Sequence, residues 1–350
     1  VRDAGGGLLG SAYMEPNSLI CARLYAPAAA VALDQTLIQA RLATALAGRQ
    51  MAFDQPFYRL VYGDSDTLPG IVIDRFGDYL VVQLNNEGIE RYGDCLLAAL
   101  VAELQPLGVL QRGDSRSRRE QGLPGGAQVV FGEVPQQVEL EENGVRFLVP
   151  VFEGQKTGWF YDHRMSRARL APWVAGKSVL DVYSYIGGWG IQAAAFGAAD
   201  VCCLDSSAQA LEGVTANAGL NGLEQRVTTL RGSAPETMAA LRTEGRLFDV
   251  VILDPPAFIQ RKKDLKKGIA AYRRINELGL KLLAPGGLLV SASCSMHLSR
   301  ADLIGAMQQA AVRAACQLRV VEQGAQGPDH PIHPAIPETE YLKAVFARKL

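Results

Sequence analysis

The chain carries no Cys-x-x-Cys pair, no apolar run long enough to cross a bilayer and no Gly-x-Gly-x-x-Gly fingerprint. Each absence removes a class of protein. Six cysteines, Cys21, Cys95, Cys202, Cys203, Cys294 and Cys316, are scattered along 350 residues, which argues against a zinc ribbon or a thioredoxin-like motif. Reduced thiols in the cytoplasm and no metal are expected. A spanning helix needs roughly 20 consecutive apolar residues, and no such stretch exists. Of the four histidines, His330 and His333 fall in a Pro-rich stretch from Pro328 to Pro337 with no third ligand in view. His297 lies three residues past Cys294, where a structural role is the plainer one. A net charge of -1 does not advertise a nucleic-acid binder.

Local charge is more informative. Arg112, Arg116, Arg118 and Arg119 crowd one segment. Arg261, Lys262, Lys263, Lys266, Lys267, Arg273 and Arg274 crowd another, with only Asp264 against them. Such clusters suit phosphate backbones, although a solvated face explains them equally well.

The length predicts two or three domains. Residues 1–26 read as the end of a small β domain, with a strand over Ser18–Leu24. Pro27 to Gly48 reads as a linker helix within 27–54, following the Pro-first, Gly-last asymmetry. Residues 55–150 read as an α+β module. It holds a hairpin around Arg75-Phe76-Gly77-Asp78, a helix over roughly Gly88–Leu104, and strands near Val129–Phe131 and Val145–Val149. From 151 to 350 apolar runs alternate with helical stretches: Ser178–Val182, Val201–Asp205, Arg226–Leu230, Phe248–Asp254 and Gly287–Ser291. That alternation predicts a doubly wound, mostly parallel α/β sheet.

Ligands bind such sheets at the carboxyl ends of strands. The first apolar run of the series ends in Asp181 and leads through Tyr183 into Gly187-Gly188-Trp189-Gly190 and a helix over Ile191–Phe196. Glycines between strand and helix let a ligand approach backbone N–H groups. The second run ends in Asp205, where a ribose-binding carboxylate belongs. The chemistry fits S-adenosylmethionine: Asp205 for the ribose diol, loop N–H groups for the carboxylate, Asp181 for the amino group. Capping of helices or turns is the plainer role for both aspartates.

The fourth run ends in Asp254-Pro255-Pro256-Ala257-Phe258, a loop that the two prolines stiffen. Enzymes that methylate exocyclic base nitrogens usually place an aromatic directly after such prolines, whereas Ala257 stands here. The fifth run leads to Cys294, a candidate nucleophile. A thiolate adding to C6 of a pyrimidine turns C5 into a nucleophile. Asp254 is placed to meet the N3 edge of cytosine. A small buried residue is the plainer role for Cys294.

Several segments together carry a resemblance. They are Tyr62–Arg75, Gly154–Arg164, Asp181–Gly190, Asp254-Pro255-Pro256 and Ser293-Cys294-Ser295. The chain resembles the bacterial and archaeal family of large-subunit (23S) ribosomal RNA cytosine-5 methyltransferases with an N-terminal PUA domain. The resemblance implies a class I Rossmann-like methyltransferase domain behind a small α+β domain. It implies that residues 1–26 are the tail of a PUA domain and that Cys294 is the nucleophile. It also implies that Lys156, Thr157 and Gly158 lie beside the cofactor, together with Asp254 and Pro255. RNA is the implied partner, and a homodimer would suit the family. One departure stands out: Gly232-Ser233-Ala234 replaces the usual Gly-Asp, so Ser233 meets the adenine without a charge. Two other readings stay open. One is base nitrogen methylation with a structural Cys294. The other is a cofactor- and RNA-binding module without catalysis.

Overall fold

A computed structural model describes the chain apart from Pro16, Asn17, Leu19 and the side chain of Arg116. Two compact units emerge. One comprises Val1–Glu141, Val149–Tyr161 and Pro328–Thr339; the other comprises Glu142–Leu148, Asp162–Gly327 and Glu340–Leu350. The division therefore does not follow the expected break after residue 150.

In the first unit, β1 (Gly10–Met14) and β2 (Ala22–Pro27) form an antiparallel hairpin. The strand expected over Ser18–Leu24 thus begins only at Ala22, and Leu19 lies outside the described residues. Pro27 ends β2 instead of opening a helix. Helix α1 (Gln35–Ala52) starts where the Asp34 carboxylate accepts from Leu37 N, and exposed Gly48 sits inside it. The side-chain cap, which satisfies an orphan N–H, decided that boundary over the proline.

A five-stranded sheet follows in the order β3 (Phe57–Tyr62), β4 (Ile71–Phe76), β5 (Tyr79–Leu84), β6 (Gly108–Arg112), β7 (Ala127–Gly132). The expected β4–β5 hairpin turns at Gly77, whose φ of 65° suits glycine. The helix expected over Gly88–Leu104 is two: α2 (Glu87–Glu90), capped by Asn86, and α3 (Gly93–Leu104). Gly88 is packed so tightly that a Cβ there would meet Tyr13 at 2.4 Å. Ile38 and Leu42 of α1 share one core with Tyr13, Tyr25, Leu60, Ile73 and Leu100. Segments 1–26, 27–54 and 55–150 therefore do not keep separate cores. A short helix α4 (Arg116–Glu120) precedes β7, and β8 (Gln137–Glu142) and β9 (Val145–Pro150) pair with each other.

The second unit opens with short helices α5 (Arg164–Ala168) and α6 (Ala171–Val174). Its parallel strands are β10 (Ser178–Val182), β11 (Asp200–Asp205), β12 (Val227–Arg231), β13 (Phe248–Leu253) and β14 (Leu283–Ser293). Between them lie α7 (Gly190–Ala195), α8 (Ala208–Leu220), α9 (Ala234–Thr243) and α10 (Leu265–Leu282). Then come α11 (Arg300–Arg313), β15 (Leu318–Gly324) and β16 (Lys343–Lys349). The sheet runs β12-β11-β10-β13-β14-β16-β15, with β16 antiparallel to both neighbours. The doubly wound sheet is as expected, and its order reverses between β10 and β13. Ligands bind at such a switch point. Leu180, Val251, Leu253, Leu280 and Leu289 are fully buried. Each such side chain contributes roughly 1.5–3 kcal/mol by leaving water. The frame under the strand ends is therefore stiff.

Candidate active site

After β10 the backbone turns sharply. Tyr183 and Tyr185 have φ values of 66° and 51°, and Gly187 has 88°. Left-handed tyrosines are costly, and such strain gathers in functional loops. Tyr183 N and Ser184 N both donate to Leu204 O, at 2.9 and 3.1 Å, which ties the loop to β11. Gly190 opens α7 with its N–H donating to Asp181 Oδ2 at 2.8 Å. A Cβ at Gly190 would lie 2.5 Å from Cys203 Sγ, and one at Gly188 would lie 3.1 Å from the Arg167 guanidinium.

Asp181 is fully buried, and its Oδ1 has no hydrogen-bond partner among the described residues. Burial pushes its carboxyl up to about 7; the Gly190 N–H opposes this, and the nearby charge of Asp254 adds to it. The Ser184 hydroxyl is likewise buried without a hydrogen-bond partner among the described residues. Asp205 Oδ2 accepts from Tyr185 N at 3.0 Å and Oδ1 from Ser207 N at 2.9 Å. Each of its oxygens keeps a lone pair for a ligand. Ser233, exposed at the start of α9, makes no side-chain cap.

Asp254 lies one residue beyond β13 and is partly exposed. His163 Nε2 is 3.2 Å from its Oδ1, and Trp189 Nε1 donates to Oδ2 at 3.0 Å. Burial alone would raise this carboxyl. His163, by field and hydrogen bond, and then Trp189 hold it below the usual carboxylate range. The His163 and Trp189 rings lie 5.3 Å apart, and His163 Nδ1 is buried without a hydrogen-bond partner among the described residues. Pro255 is buried, and Phe258 packs on the Tyr272 ring at 4.9 Å.

Cys294 follows β14 directly and is half-buried. Leu253 pairs with Ser291 in register, so Asp254 and Cys294 leave neighbouring strands at the same edge of the sheet. The residues flanking the thiol are clamped. Ser293 Oγ donates to Tyr272 OH at 2.8 Å, Tyr272 OH lies 2.9 Å from Ser295 Oγ, and Ser295 N donates to Ser293 Oγ at 3.1 Å. Burial pushes the Tyr272 phenol up, against the pull of the two serines.

The second unit thus gathers Asp181, Tyr183, Gly187, Gly188, Gly190, Asp205, Ser233, Asp254, Pro255 and Cys294 on one end of its sheet. Lys156, Thr157 and Gly158 belong to the first unit. There the Thr157 hydroxyl donates to Asp74, which Arg59 pairs at 2.8 Å. Lys156 Nζ sits 4.5 Å from the Phe160 ring centroid. The sequence alone attaches no role to His163, Trp189 or Tyr272. His163 and Trp189 stand inside segments that carry the resemblance, whereas no sequence signal marks Tyr272.

The expected arginine patch at 112–119 needs correction. Arg112 is buried, donating to Asp114, Val151 O and Gly154 O. Arg118 is buried too, donating to Leu84 O, Pro124 O and Glu90 at 2.7 to 3.1 Å. A guanidinium carries five donors, and turn carbonyls plus one carboxylate occupy them here, so these two tie loops together. Arg119 is exposed, and the side chain of Arg116 lies outside the described residues. Arg261, Lys262, Lys263, Lys266 and Lys267 are all exposed, between the Asp254 loop and the first turn of α10.

Residues 119–348 match the family model described as S-adenosylmethionine-dependent methyltransferase. The ribosomal RNA large subunit methyltransferase I of Shewanella denitrificans is 38% identical over 349 residues, 98% of this chain and 88% of that one. That of Pseudoalteromonas atlantica is 33% identical over 347 residues, again 98% and 88%. A solved chain from Streptococcus mutans, described as a SAM-dependent methyltransferase, superposes with a TM-score of 0.86 at 22% identity, covering 99% of this chain and 90% of that one. At that identity the likeness concerns the fold. The doubly wound sheet with its glycine loop and strand-end aspartates is that of a SAM-dependent methyltransferase. Within that class, the chain belongs to the ribosomal RNA large subunit methyltransferase I family.

Proposed function

We propose that this chain methylates C5 of a cytosine in large-subunit ribosomal RNA through a covalent Cys294 adduct. The carrying observation is the pair of neighbouring strand ends, with half-buried Cys294 after β14 and Asp254 after β13. The names of its relatives supply the substrate class.

The residues present fit S-adenosylmethionine, which when bound supplies an electrophilic methyl group. Asp181 Oδ1, buried and partnerless, suits an amino group. The remaining lone pairs of Asp205 suit a ribose diol. Ser233 offers a hydroxyl at the third strand end. Cys294 adds as thiolate to C6, and the C5=C6 electrons move toward C5 as N3 takes a proton from solvent. Asp254, held ionised by His163 and Trp189, accepts a hydrogen bond from that N3–H. C5 acquires the methyl group as the methyl–sulfur bond of the donor breaks, and the C5 proton then passes to solvent. The S–C6 bond breaks, expelling the thiolate and restoring the C5=C6 double bond, and N3 returns its proton to solvent. Lys262, Lys263, Lys266 and Lys267, exposed beside the Asp254 loop, supply phosphate contacts. On the resemblance, the β1–β2 hairpin belongs to a PUA-like element, the assembly is a homodimer and the location is the cytoplasm.

RNA bearing 5-fluorocytosine tests this reading, because fluorine cannot leave as a proton does. The expected result is a covalent protein–RNA complex, lost in Cys294→Ala together with methyl transfer. Full methylation by Cys294→Ala sinks the covalent route and favours nitrogen methylation. Cofactor and RNA binding without transfer by the wild type favours the non-catalytic module.

A further inference from the structure

Lys343 opens β16, directly opposite Ser293 in the antiparallel pairing with β14. It is only 6% exposed, which is rare for a lysine. Its Nζ donates to Ser295 O at 2.7 Å and to Tyr341 O at 2.7 Å. An ammonium has three donors. Two are committed to backbone, and one of those is the carbonyl of the residue just after Cys294. The charge is therefore fixed at the carbonyl of the residue next to the thiol, on the strand end whose Ser293 and Ser295 are tied to Tyr272.

We infer that the Lys343 ammonium is the positioning residue that holds Cys294 as a thiolate. The inference rests on Cys294 being the nucleophile. The S–H proton leaves to solvent, and the resulting anion is balanced by the cation already in place. A compact ammonium in a dry site favours a neighbouring anion more strongly than one in water. Burial pushes the Lys343 amine down to about 8, while the field of Cys294 pulls it up. It thus keeps its proton at neutral pH. The other groups facing this pair are Tyr272 from α10, Arg300 from α11 and Glu340 ahead of β16, and Asp254 follows the neighbouring β13.

The test is the pH dependence of iodoacetamide alkylation at Cys294 in the intact protein, read by mass spectrometry of the peptide carrying it. The wild-type midpoint is expected about one unit or more below the ordinary ~8.5. Lys343→Met should raise it by about one unit, leaving about tenfold less thiolate at pH 7. Lys343→Arg should largely restore it. A purely structural lysine would change alkylation by the same factor at every pH, and an unshifted midpoint in folded Lys343→Met overturns the inference. Should that variant not fold, a wild-type midpoint at or above ~8.5 overturns it instead, and one clearly below supports it. Methylation surviving in Cys294→Ala beside a lowered wild-type midpoint would fail the proposed function while leaving the ion pair standing.

Discussion

The carboxyl ends of β10 and β11 and those of β13 and β14 lie on the same sheet edge but are built from different materials. The first pair is mostly backbone. Left-handed tyrosines, close-packed glycines and a buried carboxyl oxygen without a partner shape it. The second pair is side chain. Asp254 is held by an imidazole and an indole, and Cys294 sits between serines clamped to one phenol. The difference teaches how each half serves chemistry. A loop that must touch a cofactor along its length offers N–H groups and leaves polar atoms to be completed by the ligand. A site that aims one thiol at one carbon, the role proposed for Cys294, needs rigid, satisfied surroundings.

Five substitutions break or sharpen this contrast. The largest effect is expected from Asp254→Asn, which keeps the shape but removes the charge proposed to face cytosine N3. Methyl transfer should fall about 10²–10³-fold with the melting temperature nearly unchanged; a loss of stability with normal turnover would make Asp254 a structural residue. Next, Tyr272→Phe leaves two buried serine hydroxyls short of a partner and should cost about 1–3 kcal/mol in urea unfolding. No change there would show that the clamp does not hold the strand end. On the backbone side, Gly190→Ala places a methyl against Cys203 Sγ and Asp181 Oδ2, again at a cost of about 1–3 kcal/mol. Cys203→Ala in the same chain should recover part of it, and failure to do so would locate the strain elsewhere.

The last comparison concerns pH. The Asp181 carboxyl titrates at about 7 when folded and near ~3.9 when unfolded. Between those values the folded state binds more protons, so the ligand-free protein loses stability as pH rises from about 4 to about 7. The slope from this group is at most about 1.4 kcal/mol per pH unit. Asp181→Asn should flatten the stability curve in that window. Parallel curves for wild type and variant would show that the buried carboxyl is ionised throughout.

Two stretches of positive charge show where sequence reading stops. Arg112–Arg119 and Arg261–Lys267 look alike as strings. In the fold, Arg112 and Arg118 spend their donors on turn carbonyls in the interior, while the second stretch stays in water. Composition cannot separate the two, because a guanidinium is stable inside wherever distant segments bring enough oxygens. The start of α1 went astray for a related reason: both Pro27 and Asp34 are helix-opening residues, and the chain used the carboxylate. The strand ends were legible because strands buried on both faces are continuous apolar runs, and the residue where a run stops is visible in the string.

The sequence by itself determined the parallel strands, their order of appearance and the residues at their ends: Asp181, Asp205, Asp254 and Cys294. These follow from local hydrophobicity and turn chemistry, which act over a few neighbours. Only the tertiary structure decided which groups stand beside them. His163 reaches Asp254 across ninety-one residues, and Lys343 reaches the carbonyl after Cys294 across forty-eight. Sheet register and burial set those meetings, and both depend on where remote segments pack.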